Sequence, residues 1–148
     1  MLTADKLRIG NWIYLGNKYA SYARVLQIGD LEAKFEQVYC ECSESFEWAF
    51  NGNYRGIPIT SEILEKCGFV KQGFGYWLSI NTFSKGSKFL FFSGDYLYIQ
   101  EGSKDMPTPE DDIVTLWNKD LKKEFYLHEL QNLYYLIIGE ELKINLFE

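Results

Sequence analysis

A chain of 148 residues lies at the modal size of one domain, long enough for folding to bury roughly 70% of the surface that the unfolded chain exposes. Hydrophobic residues make up 47% and charged residues 24%, close to ordinary globular usage of about 45–50% and about 25%, which argues against a disordered or a lipid-embedded class. The net charge of −6, with a pI near 4.9, opposes the basic footprint of a protein that grips a phosphate backbone, so nucleic acid is disfavoured as a partner.

Residues 3–15 begin with a turn that Thr3 is placed to cap. A short strand follows, in which Trp12 and Tyr14 face opposite to Ile13 and Leu15, with Gly10-Asn11 as punctuation. Ala23 to Ile28 and Leu31 to Tyr39 predict a hairpin about a two-residue Gly29-Asp30 turn. Together these make a strongly bent meander of the kind that closes into an SH3-like half barrel. From Cys40 to Arg55 the apolar residues keep neither period 2 nor period 3.6, and Asn51-Gly52-Asn53 marks a turn, so a loop or excursion is expected.

Thr60 is a good N-cap for a short central helix, with Glu62 in its first turn and Gly68 where a left-handed residue ends it; Ile63, Leu64 and Cys67 form its apolar stripe. Phe74 to Ile80, Lys88 to Phe92 and Tyr96 to Gln100 predict a second antiparallel meander. Glu101 to Asp112, with its Gly, Pro and acidic residues, predicts an exposed loop. Two edge strands are expected at Ile113 to Trp117 and Glu124 to Tyr126.

The last element, Leu127 to Ile138, has the strongest helical pattern: Leu127, Leu130, Leu133, Tyr134 and Ile137 recur at spacings of three and four, and Gly139 ends it. The fold class is therefore α+β, two small antiparallel meanders with a short central helix and a C-terminal amphipathic helix. Residues 1–148 are expected to form one domain, with sub-structure at 1–56 and 57–148.

Chemistry is sparse. The one histidine, His128, has no nucleophile placed beside it by spacing, and no nucleophile-elbow or phosphate-loop glycine pattern occurs. Cys40, Cys42 and Cys67 make an odd set without the paired spacings of a zinc site or a disulfide framework, so reduced thiols, no metal and no cofactor are expected. No secretory leader pattern and no stretch of membrane-spanning length is seen, which makes the cytoplasm the default compartment and a membrane partner unexpected.

What stands out is aromatic content, 18% of the chain, with 11 Tyr, 11 Phe and 4 Trp. Such a surplus serves either to cover sheet faces or to bind. Two candidate surfaces follow. One is the aromatic set Trp12, Tyr14, Tyr19 and Tyr22 in the first meander; the other is the row His128, Gln131, Asn132 and Tyr135 on the final helix, beside its core-facing stripe.

Three blocks carry a resemblance. Leu7-Arg8-Ile9-Gly10-Asn11, then Ile57-Pro58-Ile59-Thr60 with Gly68-Phe69, and finally His128 to Tyr134 with Gly139-Glu140-Glu141-Leu142, are together similar to an uncharacterised family of small bacterial and prophage proteins. The resemblance implies a mobile-element setting and a cytoplasmic protein, and brings no activity or active site. The chain departs from that family at Tyr135-Leu136-Ile137-Ile138, bulkier than a Phe-Ala-Leu-Thr pattern, and throughout Gln37 to Asn53, so binding specificity held in that segment does not carry over.

The function expected on these grounds is a non-enzymatic accessory protein that binds a host protein or a small ligand. The alternatives are a small enzyme with a pocket around His128, and a stacking binder of single-stranded nucleic acid. A symmetric homodimer is an option for any of them, because unprotected sheet edges are commonly covered by pairing.

Overall fold

The computed structural model describes residues 2–16, 21–31, 35–50, 52–81, 87–101 and 113–147. The fold is α+β, with two antiparallel sheets of five strands each, one short central helix and one C-terminal helix. The chain divides into two units: Met1–Ile59 with Tyr126–Glu141 and Asn145–Glu148, and Thr60–Phe125 with Leu142–Ile144. The loop expected at 101–112 lies, after Glu101, outside the described residues.

In the first unit a single 3-10 turn, Ala4–Lys6, precedes β1 (Trp12–Leu15), β2 (Ser21–Leu31), β3 (Phe35–Glu41), β4 (Phe46–Phe50) and β5 (Tyr54–Arg55). Their order across the sheet is β4-β3-β2-β1-β5. The chain thus runs outward through four strands and returns to the far side of β1, the connectivity that an SH3-like sheet requires. β2 carries a bulge between Val25 and Gln27 where it pairs with β3, and such an extra residue bends and twists a strand. Inward positions of the alternating strands supply the core: Ile13, Leu15, Ala23, Val25, Val38, Cys40, Ala49 and Tyr54, joined by Ala4 and Leu7. Each large apolar side chain buried there is worth ~1.5–3 kcal/mol.

Three sequence expectations are corrected in this unit. The first hairpin exists, but Gly29 and Asp30 are inside its strands, paired with Gln37 and Glu36, and the connection falls at 32–34. The 40–55 segment is not a loop: Phe46–Phe50 and Tyr54–Arg55 are strands β4 and β5, and the positive φ of Gly52 makes the turn between them. Phe46, Trp48 and Phe50 do recur at period 2, but on the exposed side, the reverse of the usual half-buried strand. Thr3 stands at the N-cap of the 3-10 turn, yet its hydroxyl bonds the Asp5 carboxylate and leaves the backbone uncapped.

The C-terminal helix, α2 (Leu127–Ile138), belongs to the same unit and packs on β1. Glu129 reaches back to accept the Tyr126 N–H at 3.3 Å, and Gly139, with φ of 83°, ends the helix by donating to the Tyr135 carbonyl. Tyr126 makes only an isolated antiparallel bridge to Pro58, so the edge strand expected at 124–126 is absent.

In the second unit, α1 (Ser61–Lys66) is capped as expected by the Thr60 hydroxyl, which accepts the Ile63 N–H at 3.2 Å; Ile63, Leu64 and Cys67 are buried. A meander follows in sequential order: β6 (Val70–Gln72), β7 (Gly75–Asn81), β8 (Ser87–Phe92), β9 (Tyr96–Glu101) and β10 (Ile113–Asn118). One face of this sheet packs Leu90, Leu97, Ile80 and a three-ring cluster in which Trp117 lies 5.9 Å from Phe92 and 5.0 Å from Phe125, themselves 6.4 Å apart. No helix of the described residues is long and apolar enough to cross a membrane.

Candidate functional site

Paired residues of an antiparallel sheet project to the same face. On the β3–β4 hairpin the pairs Cys40 with Glu47 and Val38 with Ala49 turn toward the core. Glu41 with Phe46, Tyr39 with Trp48 and Gln37 with Phe50 therefore turn outward. The outward residues of β4 are all large aromatics, and they stay exposed: Phe46 at 59%, Trp48 at 44% and Phe50 at 45%. Tyr39 ties them together, 5.0 Å from the Trp48 ring and stacked 6.1 Å from Phe46.

The next strand leaves room for this strip. A side chain at Gly29 would meet the Trp48 ring at 3.3 Å, so the bare backbone of β2 serves as the floor on which the indole rests. Trp48 is thereby held between a glycine and a tyrosine, exposed but positioned. Toward β1 the same face continues through an ion pair of Arg24 with Glu41 to the edge-to-face pair of Tyr14 and Tyr22, with ring centroids 6.0 Å apart. Arg55 lies over the Tyr14 ring at 4.6 Å.

The first aromatic set expected from the sequence is therefore divided. Tyr14 and the exposed Tyr22 are on the open face. Trp12 is only 1% exposed, covered edge-on by Phe147 at 4.7 Å, and forms no part of a surface. Tyr19 lies outside the described residues. Sequence reading passed over Tyr39, Phe46, Trp48 and Phe50; the available signal was period-2 recurrence of aromatics from 46 to 50.

The second set turns out to be largely internal. His128 and Gln131 are 4% and 2% exposed, whereas Leu133, Tyr134 and Ile137 are only partly buried, so the buried flank of α2 is rotated from the purely apolar stripe toward the polar one. The reason is backbone demand. The Gln131 side chain accepts the Trp12 N–H at 2.8 Å and donates to the Gly10 carbonyl at 3.1 Å, serving β1 as a neighbouring strand would. The Asn132 carbonyl oxygen accepts from Asn11 Nδ2 at 2.9 Å and from Arg8 Nε at 3.1 Å. Arg8 also forks onto the Glu141 carboxylate and lies 4.2 Å from the centre of the Tyr135 ring. His128 stacks on Tyr126 with centroids 5.9 Å apart.

Residues from three separate stretches of sequence meet in these contacts. Arg8, Gly10 and Asn11 come from the first; Ile57, whose carbonyl accepts the Leu127 N–H at 2.9 Å, and Pro58 come from the second; Gln131, Asn132 and Glu141 come from the third. These residues join α2 to the first sheet.

Nucleophilic chemistry finds little here. Burial first, then the neighbouring charges of Cys42 and Glu47, push the Cys40 thiol up to about 12, and burial alone pushes Cys67 up to about 12. The half-buried Cys42 is also raised, chiefly by burial. All three are free thiols held protonated at neutral pH. Among the described residues no group of three or more His, Cys, Asp or Glu is arranged to hold a metal ion.

The second unit has an aromatic face of its own, centred on a buried ring, with Phe74 as its exposed member and Trp77 and Tyr98 partly buried. Phe91, buried, lies 4.5 Å from Trp77 and 5.0 Å from Tyr98, and its ring fills the space above Gly75. The outer face of the β3–β4 hairpin is thus the stronger candidate. The chain matches no protein-family model, no curated protein and no solved structure.

Proposed function

We propose that this chain is a non-enzymatic binding protein that engages a host protein through the aromatic strip of Tyr39, Phe46, Trp48 and Phe50, as an accessory factor of a phage or integrated element. The observation that carries this reading is the exposure of three consecutive outward aromatics on one edge strand. Large aromatics gathered on one surface expose apolar area that a partner would cover, and Trp and Tyr are over-represented where binding energy is concentrated. Protonated thiols and a buried histidine support the non-enzymatic part.

The test is affinity capture from a bacterial lysate with three forms of the chain: wild type, Phe46→Ser/Trp48→Ser, and Leu121→Ser, which removes a still more exposed apolar residue far along the sequence. A partner retained by wild type and Leu121→Ser, and lost from the strip variant, is the expected result. Equal recovery of the same proteins by all three forms refutes the reading.

A further inference from the structure

Three features of β4 bear on what it binds. It is the terminal strand of its sheet, with no strand on its other side among the described residues, so its outer backbone groups are open to a further strand. Its outward aromatics recur at every second residue, a spacing of about 6.8 Å along a strand that rises about 3.4 Å per residue. Residues 35–50 contain four glutamates, at 36, 41, 44 and 47, and no lysine or arginine, in a chain of net charge −6. Among the described residues, Arg24, the cation of this face that lies next to β3, is already paired with Glu41.

We infer that the partner presents an extended segment with Lys or Arg at alternate positions, which adds to the free edge of β4 and sets its cations against Phe46, Trp48 and Phe50. This rests on the aromatic strip being the binding surface. Main-chain pairing supplies the docking mode, and an added strand has the same two-residue repeat as the aromatics. Aromatic faces attract cations through their quadrupole, and the net charge of −6 steers a basic segment toward the chain. The same net charge disfavours a second copy of this chain as occupant, because two chains of −6 repel each other.

The experiment titrates the full chain with an end-capped eight-residue peptide of alternating Lys and Thr, followed by calorimetry and by tryptophan fluorescence. Two companion peptides separate the components: one with Glu in place of Lys, and one with every backbone amide N-methylated. Saturable binding of the Lys peptide is expected, weakening about tenfold in Trp48→Ala and in Phe46→Ala, each checked for native unfolding behaviour. Binding should also weaken with added salt, fail with the N-methylated peptide and be absent for the Glu peptide. The inference is overturned if the Lys peptide does not bind, if the Glu or N-methylated peptide binds equally well, or if sedimentation shows a dimer that Trp48→Ala dissociates. A lysate partner that depends on the strip while the Lys peptide fails would sink the basic segment and leave the strip standing. Strip variants that retain every partner would sink the strip itself.

Discussion

Gln131 completes the pairing of β1 by accepting the Trp12 N–H and donating to the Gly10 carbonyl, two hydrogen bonds made by one side-chain amide on the helix. β5 reaches β1 only at Tyr14 and Leu15, so among the described residues no strand pairs with Trp12 on that side. A buried backbone group without a partner is costly, and a primary amide, with one acceptor and one donor side, is the side chain that matches a peptide group.

Replacing Gln131 should therefore cost stability in a way that volume does not explain. Gln131→Leu keeps the bulk and leaves both backbone groups unpaired, for an expected loss of about 2–6 kcal/mol in denaturant unfolding, at ~1–3 kcal/mol for each orphaned group. In Gln131→Glu the introduced carboxyl, ionised, faces the Gly10 carbonyl. It should recover stability relative to Gln131→Leu as pH falls toward about 4.3, where a protonated carboxyl both accepts and donates. A loss below about 0.5 kcal/mol for Gln131→Leu would mean that water replaces the amide at little cost.

Gly56 is required by Tyr126. A methyl group at residue 56 would lie 2.6 Å from Tyr126 Cγ and 3.0 Å from its Cβ, atoms at the root of the side chain that no rotamer moves away together. Gly56→Ala should destabilise by about 1–3 kcal/mol. In a Tyr126→Ala background the same substitution should cost clearly less, and a double-mutant cycle showing strict additivity would contradict the contact.

Alkaline conditions should unfold the protein through its thiols. Cys40 and Cys67 titrate from 9.0 when unfolded to about 12 when folded, so between those values the folded state holds more protons. Stability from this source is complete below pH 9.0 and falls as pH rises toward about 12. The slope approaches about 1.4 kcal/mol per pH unit for each thiol. Cys40→Ala/Cys67→Ala should show a flatter stability profile than wild type above pH 9.0, and parallel profiles would disprove the assignment.

The outward aromatics should matter little to folding. Phe46→Ser and Trp48→Ser are each expected to change unfolding free energy by no more than about 0.5–1 kcal/mol, as for surface sites whose contacts are confined to neighbours on one face. Ala49, one residue away but turned to the core, should behave oppositely: Ala49→Ser places a hydroxyl against Val38 and costs more. Comparable losses at 46, 48 and 49 would show that β4 has no free face.

Much of the architecture was legible in the residues. Alternation and turn chemistry specify the second meander, Thr60 and Gly68 bracket α1, and the spacing from Leu127 to Ile138 with Gly139 delimits α2. These are local signals, each settled by a few neighbouring residues. β4 carries a period-2 signal in Phe46, Trp48 and Phe50, but such a pattern is ordinarily read with its apolar residues inward, and here the inward side is Glu47 and Ala49 while the outward side is aromatic. The hairpin turn was misplaced at Gly29-Asp30 because Gly29 is there to admit Trp48, a residue nineteen positions away.

By itself, then, the sequence determined the α+β class, the central and C-terminal helices and the second meander, because propensity, capping and periodicity act over a few residues. Which aromatics are exposed, and why Gln131 and Asn132 face inward, was decided only by the tertiary structure. Burial of Trp12 depends on Phe147, and the role of Gln131 depends on a gap in the pairing of β1 more than a hundred residues earlier. A side chain's surroundings belong to the packed chain, and local sequence does not encode them.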